Sequence, residues 1–353
     1  MAGRVEEVSH RHGGILTAAD LAAYRPVWRE PVVFGAYGWR LATMSLPSSG
    51  GAILGQVFGV LERLGWAELP RFGADRAHLL AEALRGAFAD RFLLADPATA
   101  EATEAELLSP AWLGRRAAGI HPYRAAVSAE LTAYPGTPPR ESLDTTHLSV
   151  IDAEGGAVAL TTTLNGLFGS KVWVPGLGFL NNEMDDFATA PGEPNLFGLI
   201  QGEANAVAPG KRMLSSMSPT IAWRAADGGA ELIAIGGRGG SKIPTNVAQV
   251  LLALLVDGDP LAEALGRPRI HHQWLPDRIE AEPDALAPET RSVLLARGHA
   301  VVTTEPRDFS KVNAARALPD GTVEAATDPR GTGRAQVVVP AAAAHAENRQ
   351  LMP

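Results

Sequence analysis

Cysteine is absent from the 353 residues. That excludes disulfides, thiolate metal centres and cysteine nucleophiles, so covalent chemistry must use oxygen, nitrogen or carboxylate groups; the redox compartment stays open. No apolar run reaches the roughly 18 residues expected of a membrane span, and residues 1–10 have no apolar centre of the kind a signal peptide carries. Positive charge is also scarce, with 31 Lys and Arg against 39 Asp and Glu, a formal net charge of -8 and a pI near 5.6. Nucleic acid and anionic lipid are therefore poor partners, because binding them needs clustered cations that displace counterions. Internal repeats and low-complexity tracts are missing too. What is present is a chain 46% hydrophobic and 20% charged, enough for a sizeable core in one large domain or two ordinary ones. The expected partner is small or neutral.

Patterning divides the chain near residue 144. Residues 39–44 alternate as a strand, and the turn Pro47-Ser48-Ser49-Gly50-Gly51 opens an apolar-periodic helix through Leu64. The clearest helix runs from Asp75 to about Asp96, with Ala77, Leu80, Ala81, Leu84 and Phe88 on one face. From Glu101 to Asp144 the sequence is polar and proline-rich and reads as a linker, most loop-like at 134–140. Two β-branched runs follow, 146–152 and 157–164, joined by Ala153-Glu154-Gly155-Gly156 as a hairpin. A loop-rich stretch (165–218) leads to a strand pair at 219–224 and 231–235. Helices at 245–256 and 289–297 and strands at 299–303 and 335–339 complete the pattern, with a frayed tail from 340. Grouped strands flanked by helices predict layered α/β or α+β packing rather than simple βαβ alternation.

The junction Asp144-Thr145-Thr146-His147 takes the linker into the first strand of the hairpin. Threonine is a good strand former, and alone the pair says little more. A threonine hydroxyl needs an adjacent base to act as a nucleophile. An N-terminal threonine carries one in its free α-amine, whose reference pKa is near 8. Only a chain broken before Thr145 has that amine. A metal site is not expected: His271 and His272 adjoin on a strand and point to opposite faces, and no HExxH spacing exists. Gly236 to Ser241 misses the spacing of a phosphate loop, and no cofactor is expected.

Several ordered motifs carry a resemblance. They are Thr161-Thr162-Thr163-Leu164-Asn165, Phe168-Gly169-Ser170, Leu180-Asn181-Asn182-Glu183-Met184-Asp185-Asp186-Phe187, Pro209-Gly210-Lys211-Arg212-Met213-Leu214-Ser215-Ser216-Met217-Ser218-Pro219-Thr220 and Gly239-Gly240-Ser241-Lys242-Ile243. With Thr145, the early Gly13-Gly14-Ile15-Leu16-Thr17 and Pro47 to Gly51 stretches, and the late His271-His272-Gln273-Trp274-Leu275-Pro276 and Asp328-Pro329-Arg330, the chain resembles the γ-glutamyltranspeptidases over nearly its whole length. Where many relatives have serine and proline before the glycine pair, this sequence has Gly237-Arg238.

The resemblance implies the four-layer αββα sandwich of N-terminal nucleophile hydrolases, an α+β fold, N-terminally truncated in this chain. Residues 1–144 would be the C-terminal part of a large subunit and residues 145–353 the small subunit. It implies a zymogen that cuts itself before Thr145, leaving the two fragments as a heterodimer. The catalytic residues it implies are Thr145 as nucleophile, Thr163 as its supporting hydroxyl, and Gly239 and Gly240 as an oxyanion hole. Asn165, Glu183 and Asp186 would face the substrate α-ammonium, and Ser215 and Ser216 its carboxylate. The expected activity is γ-glutamyl transfer or hydrolysis on glutathione or other γ-glutamyl compounds, with water, amino acids or peptides as acceptors. A cephalosporin or glutaryl acylase, or an inactive relative, are the alternatives. The arginine that pairs with the carboxylate is expected upstream of the matched region, and Arg29, Arg40 and Arg238 are not assigned to it. A periplasmic or secreted location is implied where a signal peptide precedes.

Overall fold

The computed structural model describes residues 1–131, 145–188, 190–193 and 199–338. Helices α1 (Ala2–Arg11) and α2 (Ala18–Ala23) precede strands β1 (Val32–Ala36) and β2 (Trp39–Thr43), and then come helices α3 (Gly50–Arg63), α4 (Ala74–Asp90), α5 (Glu104–Leu107) and α6 (Pro110–Gly119). Beyond residue 144 lie β3 (Thr145–Ile151), β4 (Ala157–Thr163), the short β5 (Trp173–Val174) and β6 (Gly178–Phe179), β7 (Thr220–Ala226) and β8 (Gly229–Arg238). The remainder is α7 (Lys242–Leu255), α8 (Leu261–Gly266), β9 (Ile270–His271), β10 (Ile279–Ala281), α9 (Pro288–Ala296), β11 (Val301–Thr303), β12 (Lys311–Ala317) and β13 (Val323–Thr327).

The frame is a six-stranded antiparallel sheet of order β1-β2-β7-β8-β12-β13. Two of its hairpins turn on two residues each. Tyr37 and Gly38 have φ of 50° and 77°, and Asp227 is followed by Gly228 at φ 91°, the left-handed geometry that suits the twist of tight hairpins. Because β2 comes from the first part of the chain and pairs with β7 from the second, one sheet joins both.

Alternation assigns the two faces of this sheet. Leu41, Ala222, Ile233, Ile235 and Val312 enter one apolar core with Ile53, Leu54, Phe58, Leu84 and Val247 of α3, α4 and α7. Complete burial of such a side chain stabilises by about 1.5–3 kcal/mol, so this face carries most of the fold's cohesion. The intervening residues face the other way, where Gly236 and Asn313 meet His147 of the β3–β4 hairpin. Helices, six-stranded sheet and two-stranded hairpin thus make an α+β stack of three layers.

The hairpin itself is polar inside and apolar outside. Thr145, His147 and Ser149 of β3 face the sheet with Thr161 and Thr163 of β4. On the outer face Leu148 and Val150, paired with Leu160 and Val158, are 44–53% exposed. Among the described residues no helix covers them.

The predicted hairpin runs and the helices at 50–64, 245–256 and 289–297 lie within a few residues of the observed elements. Three expectations need correcting. Helix α4 ends at Asp90, and a single 3-10 turn takes over from Arg91 to Leu93. The expected linker holds α5 and α6, whose Leu107 and Leu113 are buried, whereas residues 132–144 lie outside the described residues. The strand expected at 335–339 is irregular through 338, and the sheet is completed instead by β12 and β13.

Candidate active site

Thr145 opens β3 and stands in register with Thr163 at the end of β4. The Thr145 hydroxyl donates to Thr163 Oγ1 at 3.2 Å, and Thr163 Oγ1 also accepts the Asn165 amide at 2.8 Å. Asn165 adopts φ 68°, a left-handed conformation that asparagine tolerates well. Its side chain donates to the Asn182 carbonyl at 2.9 Å, tying the end of the hairpin to the turn that carries Glu183 and Asp186.

Behind Thr145, His147 props the hairpin on the sheet. Its Nδ1 is 2.8 Å from Thr161 Oγ1 and its Nε2 2.9 Å from Ser149 Oγ, so both ring nitrogens are used. Burial pushes its pKa down to about 4, leaving it neutral. The ring packs against Gly236, where a Cβ would come within 2.3 Å of it. Glycine there lets the two sheets approach.

Strand β8 ends at Arg238, and Gly239 (φ 137°) and Gly240 (φ 58°) then turn the chain into α7. Both angles favour glycine, and a Cβ on Gly239 would approach Ser310 Cα to 2.7 Å. The positive end of α7 follows directly. On the opposite side, Ser215 is stitched to the turn before α3: its amide donates to the Pro47 carbonyl at 2.8 Å, and its carbonyl accepts both the amide and the hydroxyl of Ser49 at 2.9 Å.

These segments border a small, partly open cleft lined by Thr145, Thr163, Asn165, Asp186, Ser215, Ser216, Met217, Gly240 and Ile243. Seven of the nine residues singled out from sequence therefore share one cavity. Glu183 and Gly239 are each adjacent in the fold but outside its lining, and Met217 and Ile243 were not anticipated.

The cleft is electrostatically unsettled. Burial, then the neighbouring Glu183 and Asp185, push the Asp186 carboxyl up to about 8 against the opposing pull of Arg91, while burial pushes Glu183 up to about 7. Glu183 Oε2, the Ser215 hydroxyl and Arg91 Nη1 are buried without a hydrogen-bond partner among the described residues. Three orphaned polar groups of these types are what a charged ligand with both signs would satisfy. Arg91 was not legible from sequence. Nothing in its local pattern distinguishes it from other helix-end arginines.

A separate buried cluster, His78, Glu82 and His299, presents ligand atoms within 4.8 Å of one another and could in principle hold a cation. Its contacts already have another use. His78 Nε2 donates to the His121 carbonyl at 2.8 Å, so its Nδ1 accepts from His299 Nε2 at 2.7 Å, and Arg85 neutralises Glu82 at 3.1 Å. His271 and His272 engage different partners, Thr245 and Gln273 for the first and Asp277 for the second.

An α+β fold that sets a threonine at the start of a strand against a glycine turn has close counterparts. The chain superposes on a cephalosporin acylase from Bacillus halodurans with a TM-score of 0.75 over 95% of its own length and 58% of that chain, at 22% identity, a likeness of fold. The family profile described as Gamma-glutamyltranspeptidase matches residues 1–338, and the chain belongs to that family. It is 39% identical over 333 residues to a glutathione hydrolase proenzyme of Escherichia coli (strain K12), covering 94% of this chain and 56% of the relative. It is 36% identical over 324 residues to the acylase ACY 1 proenzyme of Pseudomonas sp. (strain SE83), covering 91% and 54%. The chain spans about half the length of the curated relatives it matches.

Proposed function

We propose that this chain carries the catalytic half of a γ-glutamyltransferase and glutathione hydrolase, with Thr145 as nucleophile after self-cleavage of the 144–145 bond. The observation that supports this best is the shared cleft. It places the Thr145 hydroxyl, held by Thr163, beside an acidic group at Asp186, hydroxyl donors at Ser215 and Ser216, and the glycine turn at Gly240.

In this reading the Thr145 hydroxyl first adds to the carbonyl of residue 144, the C–N bond breaks to free the α-amine and leave residue 144 as an ester on the Thr145 oxygen, and water hydrolyses that ester to the carboxylate of residue 144 and the free hydroxyl. That amine then takes the hydroxyl proton as Thr145 attacks the γ-carbonyl of a donor such as glutathione. Backbone amides at Gly239 and Gly240 stabilise the oxyanion. The proton passes to the departing amine, leaving a γ-glutamyl ester on Thr145. Water, an amino acid or a peptide then takes the acyl group and returns a proton to Thr145. Thr163 fixes the attacking oxygen.

Asn165, Glu183 and Asp186 receive the donor α-ammonium, and Ser215 and Ser216 its carboxylate. This clamp favours γ-glutamyl over glutaryl donors, because a glutaryl group has no ammonium and would leave the buried carboxylates without an ionic partner. The fragments 1–144 and 145–353 are expected to remain associated, since β2 and β7 are adjacent strands of one sheet and α3, α4 and α7 share one core. The outward Leu148, Val150, Val158 and Leu160 are the surface on which the fourth layer of an αββα sandwich would sit.

Intact-mass analysis tests the nucleophile assignment. The folded wild-type chain is expected to yield the two fragments without added protease, and Thr145→Ala a single uncut chain. A folded wild type that stays uncut would contradict self-cleavage.

A further inference from the structure

Arg91 begins the 3-10 turn after α4 and is 3% exposed, with its guanidinium set behind the loop that presents Ser215 and Ser216. Its Nε donates to Ser49 Oγ at 3.0 Å, and Ser49 Oγ in turn donates to the Ser215 carbonyl at 2.9 Å. Its Nη2 donates to the Leu214 carbonyl at 3.2 Å and reaches Ser216 Oγ at 3.5 Å. One side chain therefore holds residues 214, 215 and 216 in place, directly or through Ser49. Its Nη1 is buried with no partner among the described residues.

Such an arrangement is costly unless the charge has a use, since burial lowers the guanidinium pKa to about 10 even with Asp186 favouring the charged form. Arginine remains protonated at neutral pH even so. Among the described residues, none that lines the cleft is itself a cation. A ligand carboxylate bound at Ser215 and Ser216 would enter the field of a charge that lacks a close counter-ion.

We infer that Arg91 is a positioning residue for the carboxylate end of the ligand: it holds the loop that carries the Ser215 and Ser216 hydroxyls and supplies the positive charge that selects a carboxylate over a neutral group there. This rests on the clamp assignment given above. Arg91 acts through the serines and through its field, without being a catalytic residue.

Three small probes separate the possibilities. L-Glutamate carries both the α-ammonium and the α-carboxylate; glutarate keeps a carboxylate at each end and lacks the ammonium; 4-aminobutyrate keeps the ammonium and the distal carboxylate and lacks only the α-carboxylate. Isothermal titration of the full chain is carried out with Arg91 intact and as Arg91→Gln, the state of the 144–145 bond being matched by mass. The substitution is expected to weaken L-glutamate and glutarate by about tenfold or more, the scale of a lost charge-assisted contact, and to leave 4-aminobutyrate within about twofold. Equal weakening of all three probes, or of none, would overturn the inference and make Arg91 a structural residue. Absence of L-glutamate binding with Arg91 intact would instead contradict the clamp assignment itself, and the inference with it. If Arg91→Gln does not melt cooperatively, the same comparison is made in Arg91→Lys and Ser49→Ala. Both are expected to reduce the preference for L-glutamate over 4-aminobutyrate, and an unchanged preference in both overturns the inference.

Discussion

The two faces of the six-stranded sheet solve different problems. Toward α3, α4 and α7 the sheet presents Leu41, Ile233, Ile235 and Val312, all fully buried in a continuous apolar core. Toward the β3–β4 hairpin it presents Gly236 and Asn313, and the hairpin answers with Thr145, His147, Ser149, Thr161 and Thr163. One seam is held by dispersion and burial, the other by a hydrogen-bonded network around a single neutral histidine. A polar seam is weaker as glue but can aim hydroxyls, so the threonine proposed as nucleophile belongs to the second face.

If that contrast is right, the largest stability loss comes from the apolar seam. Leu54→Ala, at a fully buried position on α3, is expected to cost about 2–5 kcal/mol in chemical denaturation. A loss below about 1 kcal/mol would mean that the helix face is not the main source of cohesion.

Next in size is an effect on activity. Asp186→Asn is expected to lower kcat/KM for γ-glutamyl anilides by about ten- to a hundredfold, from a lost interaction of about 1.5–3 kcal/mol. The wild-type dependence on pH has a defined sign. Asp186 in the empty cleft titrates near 8, so it is largely protonated at pH 7 and gains its charge as pH rises. The ratio of γ-glutamyl to glutaryl anilide turnover should therefore climb from pH 7 to pH 9 in the wild type and stay flat in Asp186→Asn. Taking the ratio cancels the titration of the Thr145 amine, which both donors need. A flat wild-type ratio would remove Asp186 from the clamp.

The polar seam itself is probed by Gly236→Ala, which sets a methyl group 2.3 Å from His147 Cε1. Overpacking of this kind costs about 1–3 kcal/mol and should slow self-cleavage by shifting Thr145, a coupling that Leu54→Ala lacks at matched stability. The smallest effect is expected on the outer hairpin face. Leu160→Ser, at a position 47% exposed, should change the stability of this chain by no more than about 0.5 kcal/mol. A larger loss would show that the outer face is covered in solution.

Much of this organisation is legible in the sequence where local pattern and tertiary role coincide. The β-branched alternation of 146–152 and 157–164 marks β3 and β4, and the apolar periodicity of residues 50–64 marks α3. Strand β12 is not legible, because Val312-Asn313-Ala314-Ala315-Arg316 has little intrinsic strand preference and is held by pairing with β8 on one side and β13 on the other. Strand β1 is masked by Pro31 and Gly35. Helix α4 reads as amphipathic, yet its polar Arg76, His78, Glu82, Arg85 and Asp90 are also buried, through ion pairs and hydrogen bonds that no periodicity encodes. The site residues were readable as motifs because each lies in a short distinctive segment. Their convergence on one cleft, and the arginine behind it, depend on contacts between segments more than a hundred residues apart, such as Arg91 with Leu214.

The central claim is that Thr145 becomes the acylated nucleophile, and trapping the acyl group tests it most directly. The self-cleaved protein is quenched in acid during turnover of a γ-glutamyl anilide, and the 145–353 fragment is mapped by peptide mass spectrometry. The account predicts one γ-glutamyl group, attached to Thr145 and absent when the donor is omitted. A γ-glutamyl group on any other residue, or turnover with no acylated Thr145 under conditions where deacylation limits the rate, would contradict it.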